Sequence, residues 1–359
     1  MSDLLRPYAG PRLDLPNRIA MAPMTRGRAD DATGVPNPLA AQYYAQRAGA
    51  GLIVTEGIWP NLLGKAGPGI PGLVTNAQVD GWRTVTGAVH AAGGRIFAQL
   101  WHVGRMTHPL TLPDGVAPVA PSAVRIESAP IFTRDGLVPH VTPRPLTTAE
   151  AETTVADFAN EARAAIRAGF DGVEVHGANG YLIQQFLAEN TNRRTDRFGG
   201  SPSGRLRFAL DVVEAVADAV GPERTGLRIS PGNPENEIAE EDPQRTYRAL
   251  VDALEPCGLA YLHVIERGAY GALADLRARW SGTLIGNFNG PEPTTRRAGE
   301  QAVAAGLADV FSFGRLFIAN PDLPRRFAAN APLAAYDPQR IYGGGAAGYT
   351  DYPALASTY

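Results

Sequence analysis

Three side chains within six positions could do chemistry together: His176, Asn179 and Tyr181, in the stretch FDGVEVHGANGYLIQQFLAEN (170–190). An imidazole and a primary amide can both donate hydrogen bonds to one substrate oxygen, and a phenol beside them can deliver a proton. The same letters also suit a hydrogen-bonded buried histidine, a turn asparagine and a half-exposed tyrosine, because buried polar groups usually have structural partners. What decides between them is the scaffold. Residues 171–176 form a short apolar run with β-branched residues that exits at Gly177. That suits a buried parallel strand better than a helix. Alternation puts Glu174 and His176 on one face and Val173 and Val175 on the other. Leu182, Ile183, Phe186 and Leu187 then recur at helical spacing, so the three polar residues sit where a strand turns into a helix.

Similar runs recur along the chain. Strands are expected at 18–22, 51–55, 95–99, 171–176, 226–230, 261–264, 283–286 and 310–313. Helical stretches are expected at 39–48, 77–92, 148–168, 204–219, 292–305 and 321–330. Short apolar strands alternating with helices predict a parallel sheet covered on both faces. Eight units at this length favour a closed (β/α)8 TIM barrel, one domain over residues 1–359, rather than an open doubly wound sheet. No G-x-G-x-x-G follows the first strand, which counts against a dinucleotide-binding Rossmann unit. A Pro- and Gly-rich excursion, 101–145, separates the third and fourth strands, and its length predicts a lid or binding subdomain.

Composition narrows the class. A net charge of −3 argues against a nucleic-acid or anionic-membrane surface. Lys65 is the only lysine, so no other position can form a Schiff base, and the single cysteine, Cys257, excludes an intrachain disulfide and a Cys-rich metal site. The N-terminus lacks signal-peptide order, and no apolar run is long enough to span a bilayer. A cytoplasmic protein, monomeric or a small homo-oligomer, is expected.

In such barrels the active site forms at the C-terminal ends of the strands. Thr25 follows the first run, Gly57 the second, Gln99 ends the third and His176 the fourth; Arg228 lies in the fifth, Asn287 follows the seventh, and Gly314-Arg315 follow the eighth. Gln99 offers an acceptor and donors side by side, as a uracil-like ring edge requires. Arg228 could stabilise negative charge on that ring, and Asn287 with Gly314-Arg315 occupy the usual barrel phosphate position. Singly, each is as well read as a turn with a solvated charge. Together they describe a rim for a phosphorylated, amide-edged cofactor such as FMN. Metal-ligand motifs such as H-x-H and H-E-x-x-H are absent. Glu174 shares a face with His176 and needs a partner inside a barrel; Arg228 on the neighbouring strand is the candidate.

The chain resembles the old yellow enzyme family of FMN-dependent ene-reductases from about Leu4 to Pro353. The matching motifs are RIAMAPMTR (18–26), AQLWHVGR (98–105), HGANGYLIQQFL (176–187), RTDRFGGS (194–201), LRISP (227–231), FGR (313–315) and YGGGAAGYTDYP (342–353). The resemblance implies FMN at the barrel mouth, reduced by NADH or NADPH, and ping-pong hydride transfer to an activated alkene (an α,β-unsaturated carbonyl compound or a nitroalkene), or reduction of a nitrate ester. It implies that His176 and Asn179 bind the substrate's oxygen and that Tyr181 protonates the α-carbon. It places Pro23, Met24, Thr25, Gly57, Gln99, Arg228, Asn287, Gly314 and Arg315 around the cofactor, Trp101 in the substrate pocket, and Tyr349 reaching the site from the C-terminal tail. Thr25, rather than Cys, is similar to the branch of N-ethylmaleimide and glycerol trinitrate reductases. One position departs: relatives often carry a pocket tyrosine where this chain has Gly67. The rivals are a flavin isomerase or pathway-specific reductase on the same site, a flavin-binding protein without turnover, and a metal-dependent barrel hydrolase.

Overall fold

A buried strand needs partners for its backbone N–H and C=O groups on both sides, and eight strands meet that need by closing on one another. In this computed structural model, which describes residues 2–267, 270–291 and 293–356, they are β1 (Ile19–Met21), β2 (Leu52–Ile58), β3 (Ile96–Leu100), β4 (Gly172–Gly177), β5 (Thr225–Ile229), β6 (Tyr261–Glu266), β7 (Leu284–Phe288) and β8 (Val310–Phe313). They pair in parallel in chain order, and β8 pairs with β1 to close the barrel. The fold is the expected (β/α)8 barrel.

The helices start where the sequence provides caps. Thr75 with Gln78 and Thr147 with Glu150 form capping boxes at the heads of Asn76–Ala91 and Thr148–Arg167, and Ser201 caps Pro202–Val220. Three helices lie outside the sequence-based expectation. Pro243–Leu254 buries Thr246, Tyr247, Leu250, Val251 and Leu254 at helical spacing behind a capping Asp242, and Ala272–Arg277 and Arg315–Ala319 are short. The seventh-unit helix runs Arg296–Ala304, so it starts later than expected; Glu292 lies outside the described residues. The last is Leu323–Ala329.

Several strands run further than expected, and in two of them this moves a site residue. Gly57 lies inside β2 and Asn287 inside β7, rather than after them. A glycine reads as strand punctuation, but here a register shift between Val54 and Gly57 carries β2 onward. At the shift the Thr55 hydroxyl accepts from Gln99 N–H at 3.0 Å and donates to Glu56 O at 2.8 Å, replacing ladder bonds.

Inside the barrel, polarity changes with height. The lower layers hold Ala20, Leu52, Val54, Phe97, Tyr261, Ile285 and Val310, sealed by the N-terminal hairpin Tyr8–Ala9/Asp14–Leu15. One alternation higher lie Gln99, Glu174, His263 and Ser312, and above them His176, Arg228 and Asn287. The excursion 101–145 carries a parallel pair, Val119–Ala120 with Arg144–Pro145, and a hairpin, Ile131–Thr133 with Gly136–Val138. Arg105 ties it to the loop after β5, donating to Asn236 O at 2.8 Å and Glu237 O at 3.2 Å. Among the described residues no helix is long and apolar enough to cross a membrane.

Candidate active site

At the C-terminal mouth of the barrel a cavity of about 320 Å³ is lined by Ala22, Pro23, Met24, Thr25, Asn179, Arg228, Asn287, Gly314 and Arg315, with Ile265, Phe288, Ile318, Ile341 and Tyr342. That size is within the range of small-molecule and cofactor sites. Residues expected at the rim from β1, β4, β5, β7 and β8 thus converge on one space.

Three buried polar atoms beside it have no protein partner: His176 Nδ1, Trp101 Nε1 and Arg228 Nε. Most buried polar groups have a partner, so three orphaned ones gathered at one cavity mark it as a place where a ligand or water can satisfy them. His176 sits at the end of β4, and burial, then the Arg228 guanidinium beside it, depress its pKa to about 3. The imidazole is therefore neutral at working pH. Its ring lies 5.2 Å from that of Tyr181 and 6.3 Å from that of Trp101, and Trp101 meets Tyr181 edge-on at 4.9 Å. Burial, then the negative charge of Glu235, push the Tyr181 phenol up, so it keeps its proton.

Asn179 adopts a left-handed backbone, φ 56, a conformation asparagine tolerates better than most residues. Its N–H donates to Ser230 Oγ at 2.8 Å, its side-chain oxygen accepts from Asn233 at 3.1 Å, and its carbonyl accepts from Asn236 at 2.7 Å. With its oxygen engaged, the amide N–H₂ is left to face the cavity. The loop after β5 therefore builds the site as much as the loop after β4 does. Asn233 and Asn236 were not singled out in the sequence; the Pro-Gly-Asn-Pro-Glu-Asn run after LRIS was the available signal.

Arg228 donates to the Asn287 side-chain oxygen at 3.3 Å, while Asn287 donates to Ser312 O at 3.0 Å. Asn287 thus orients the cation with both ends of its amide. Arg315 bridges outward to the carbonyls of Gly290 and Pro291. Gly57 faces Trp101: a Cβ there would stand 2.1 Å from the indole Cε3, so only glycine lets the ring lie against β2. Gln99 is buried beneath the mouth and donates to Glu174 Oε1 at 2.8 Å.

Two expectations need correction. The partner of Glu174 is not Arg228 but His263, two strands away, at 2.8 Å; Tyr261 OH donates to the same oxygen at 3.1 Å. Arg228 acts on the carboxylate only through its charge, because its fork is turned up toward Asn287. The tail residue at the mouth is Tyr342, not Tyr349. Tyr349 is buried, stacked on Tyr43 at 4.2 Å with Arg28 4.5 Å from its ring. Arg26 and Arg28 donate to the carbonyls of Ile341, Gly348, Arg340, Gly345 and Ala347, pinning the tail so that Ile341 and Tyr342 line the cavity. Two tyrosines seven residues apart in one glycine-rich tail look alike in sequence; the arginines that select between them lie over 300 residues away.

Gly67 opens onto space: a Cβ there meets nothing nearer than Phe132 O at 3.8 Å, and neighbouring Ala66 packs against the cluster of Trp59, Ile70, Trp101 and Val103 on which Tyr181 also packs. Among the described residues no three His, Cys, Asp or Glu side chains cluster as a metal site.

Known proteins share this fold and sequence over nearly the whole chain. The NADH:flavin oxidoreductase / NADH oxidase family profile matches residues 3–334. A 12-oxophytodienoate reductase of Oryza sativa subsp. japonica is 42% identical over 98% of this chain and 94% of its own. A probable flavin mononucleotide-dependent alkene reductase of Leishmania infantum is 44% identical over 98% and 97%. Among solved structures, morphinone reductase in complex with tetrahydroNAD superposes with a TM-score of 0.94 at 45% identity, covering 99% of this chain and 98% of the other. The old yellow enzyme homologue from Zymomonas mobilis does so at 0.93 and 40%, covering 98% and 100%. With fold and nearly the whole sequence in agreement, the chain belongs to the NADH:flavin oxidoreductase / NADH oxidase family and is an old yellow enzyme, an oxidoreductase that works with FMN and a nicotinamide reductant.

Proposed function

We propose that the protein reduces the carbon–carbon double bond of α,β-unsaturated carbonyl compounds and nitroalkenes, in two separate half-reactions sharing one site; a nitrate ester, which presents a similar oxygen, would instead take the two electrons at its nitro group and leave as alcohol and nitrite. The observation that carries this reading is the neutral His176 beside Asn179 and a protonated Tyr181, with unpartnered N–H groups at the mouth.

FMN suits the chain's residues. Arg228 would bring a cation to the ring's pyrimidine edge, with Gln99 and Thr25 offering hydrogen bonds to its amide and carbonyl groups. Pro23 and Met24 would supply an apolar face, and Gly314 and Arg315 would hold the phosphate. When bound, FMN supplies the hydride taken from NADH or NADPH.

The protein residues do the rest. His176 and Asn179 donate to the substrate oxygen and stabilise the charge that gathers there as the double bond is reduced, which is oxyanion-hole stabilisation. A neutral imidazole does this by hydrogen bonding, without giving up its proton. Tyr181 delivers a proton to the α-carbon from the opposite face. Its raised pKa keeps that proton in place until the carbanion-like carbon demands it. Trp101 and Tyr342 wall the substrate space, and the open position at Gly67 widens it toward the hairpin 131–138, favouring a bulkier alkene. Net reduction follows from the intact Tyr181; an isomerase would not need an acid there. A cytoplasmic monomer or small homo-oligomer belongs to the same reading, and size-exclusion chromatography tests the second half of it.

An anaerobic absorbance titration tests the proposal. NADPH or NADH should bleach the flavin band and 2-cyclohexenone should restore it. Bleaching without recovery would remove the enone assignment; a protein colourless even after added FMN would remove the site. Relative turnover of small and bulky enones by the parent and Gly67→Tyr tests the widened pocket, and an unchanged preference would end that part.

A further inference from the structure

Beneath the mouth, four polar side chains from four strands join across the barrel interior: Gln99 (β3), Glu174 (β4), His263 (β6) and Ser312 (β8), with Tyr261 beside them. Glu174 and His263 are fully buried, and Gln99 is 3% exposed. Glu174 Oε1 accepts from Gln99 Nε2 at 2.8 Å; Oε2 accepts from His263 Nδ1 at 2.8 Å and Tyr261 OH at 3.1 Å. His263 Nε2 lies 2.8 Å from Ser312 Oγ.

The donors fix the state of the network. A carboxylate taking three donors is an anion, and its His263 partner then has Nδ1–H toward it and Nε2 free to accept from the serine. Burial depresses the pKa of His263 despite the carboxylate beside it, while His263 first and the more distant Arg228 after it hold the Glu174 carboxyl below its ordinary value against the cost of burial. This network meets the mouth through Gln99, through the main-chain oxygen of Ser312, which accepts from Asn287 at 3.0 Å, and through the field of Arg228. An anion buried at a desolvation cost of several kcal/mol requires a reason.

We propose that Glu174 is a positioning residue: it locks the Gln99 amide with its N–H₂ end held down and its oxygen end fixed for the pyrimidine edge of the flavin. A glutamine amide alone can turn over by half a rotation, exchanging donor for acceptor. With the carboxylate below, the turned amide would set oxygen against oxygen in a dry interior, and that orientation is excluded. His263, Tyr261 and Ser312 hold the carboxylate in turn. The inference rests on the placement of the flavin edge at Gln99 given above.

A double-mutant cycle on the holoenzyme tests it. FMN dissociation is read as free-flavin fluorescence on dilution, and the visible flavin spectrum and midpoint potential are recorded for each form. Gln99→Ala should weaken FMN about tenfold, the scale of one hydrogen bond. Glu174→Gln should cause a comparable loss and shift the spectrum and potential, whereas in the Gln99→Ala background it should change dissociation by no more than about twofold. Multiplicative losses would show that Glu174 acts independently of Gln99 and overturn the proposal. No effect of Gln99→Ala at all would instead remove the placement of the flavin edge. Glu174→Asp keeps the charge but shortens the reach; it should fail as Glu174→Gln does, and full retention of parental affinity and spectrum would show that only the charge matters, against the proposal. Should Glu174→Gln not fold, Glu174→Asp takes its place in the cycle.

Discussion

Gly57→Ala is the smallest perturbation with a large expected effect. The added methyl carbon would stand 2.1, 2.5 and 2.9 Å from Cε3, Cδ2 and Cγ of Trp101. Carbon atoms rest about 3.5–4.0 Å apart, so the indole must retreat by at least about 1.4 Å. It cannot do so freely. Its far side meets Tyr181 edge-on, and Trp59, Ile70 and Val103 pack around it. Overpacking of this kind costs about 1–3 kcal/mol. With an unfolding entropy of about 2.1 cal/mol/K per residue over 359 residues, Tm should fall by about 1–4 °C. The larger effect should be on rate: moving Trp101 moves Tyr181, and misplacement of about 1 Å near reacting atoms costs about 100-fold. Stopped-flow absorbance separates the two half-reactions. Reoxidation of the reduced enzyme by 2-cyclohexenone should slow far more than its reduction by NADPH or NADH, because Tyr181 acts only in the former. Gly57→Ala with parental Tm and an unchanged reoxidation rate would refute the packing reasoning.

The pH dependence follows from His176, whose pKa near 3 leaves it neutral across the working range. The oxidative half-reaction should show no histidine inflection between about pH 5 and 8; a step near 6.5 that disappears in His176→Asn would contradict this. Glu161, buried in the helix Thr148–Arg167 with neither oxygen partnered, has its pKa pushed well up, first by burial and then by Asp157. The folded state keeps a proton that the unfolded state releases above the ordinary glutamate pKa of 4.5, so this group's contribution to stability falls as pH rises. Glu161→Leu should raise the urea midpoint at pH 8 and remove a slope of up to about 1.4 kcal/mol per pH unit; equal stabilisation at pH 5 and pH 8 would count against it. Arg28→Ala removes donors to Arg340, Ile341, Gly345 and Ala347. Limited proteolysis should then cut within 340–348, and KM for the enone should rise as Tyr342 leaves the mouth; an intact tail would show that Arg26 alone holds it.

The parts of this protein that a sequence exposes are those set by local pattern. All eight strands were legible as short apolar runs, and His176, Asn179 and Tyr181 stood out because one strand–turn–helix junction holds them all. Thr25, Arg228 and Gly314-Arg315 were legible from the rule that barrel sites form at strand ends. The strand limits were not, because the bulge at Thr55–Glu56 depends on bonds to β3 that no local pattern reports. The helix Pro243–Leu254 was there to read, with its capping Asp242 and spaced apolar face, but polar residues dilute the signal. Glu174 was correctly placed on the face of His176, yet its partner was taken from the adjacent strand. Across a barrel, residues on non-neighbouring strands come as close as residues on neighbouring ones.

That last point explains how one interior holds charges at two heights without conflict. At the mouth a neutral His176 can donate a hydrogen bond without acting as an acid, and Arg228 beside it keeps it neutral by disfavouring a second positive charge. Left alone, a buried guanidinium would be costly, and its own pKa is lowered by that burial. Glu174, one alternation lower, offsets it at a distance, raising the arginine's pKa against the burial without covering the fork that must face the ring. If Glu174 paired directly with Arg228, the cation would be drawn down from the mouth and the Gln99 amide would lose its anchor. Routing the carboxylate to His263 and Tyr261 instead keeps both free for the cavity. His263→Leu should therefore let Glu174 turn to Arg228. Its signature would be a flavin spectrum altered in the same sense as by Arg228→Met, at a site 263 that touches neither flavin nor substrate. An unaltered spectrum in a folded His263→Leu protein would show that the carboxylate needs no such restraint.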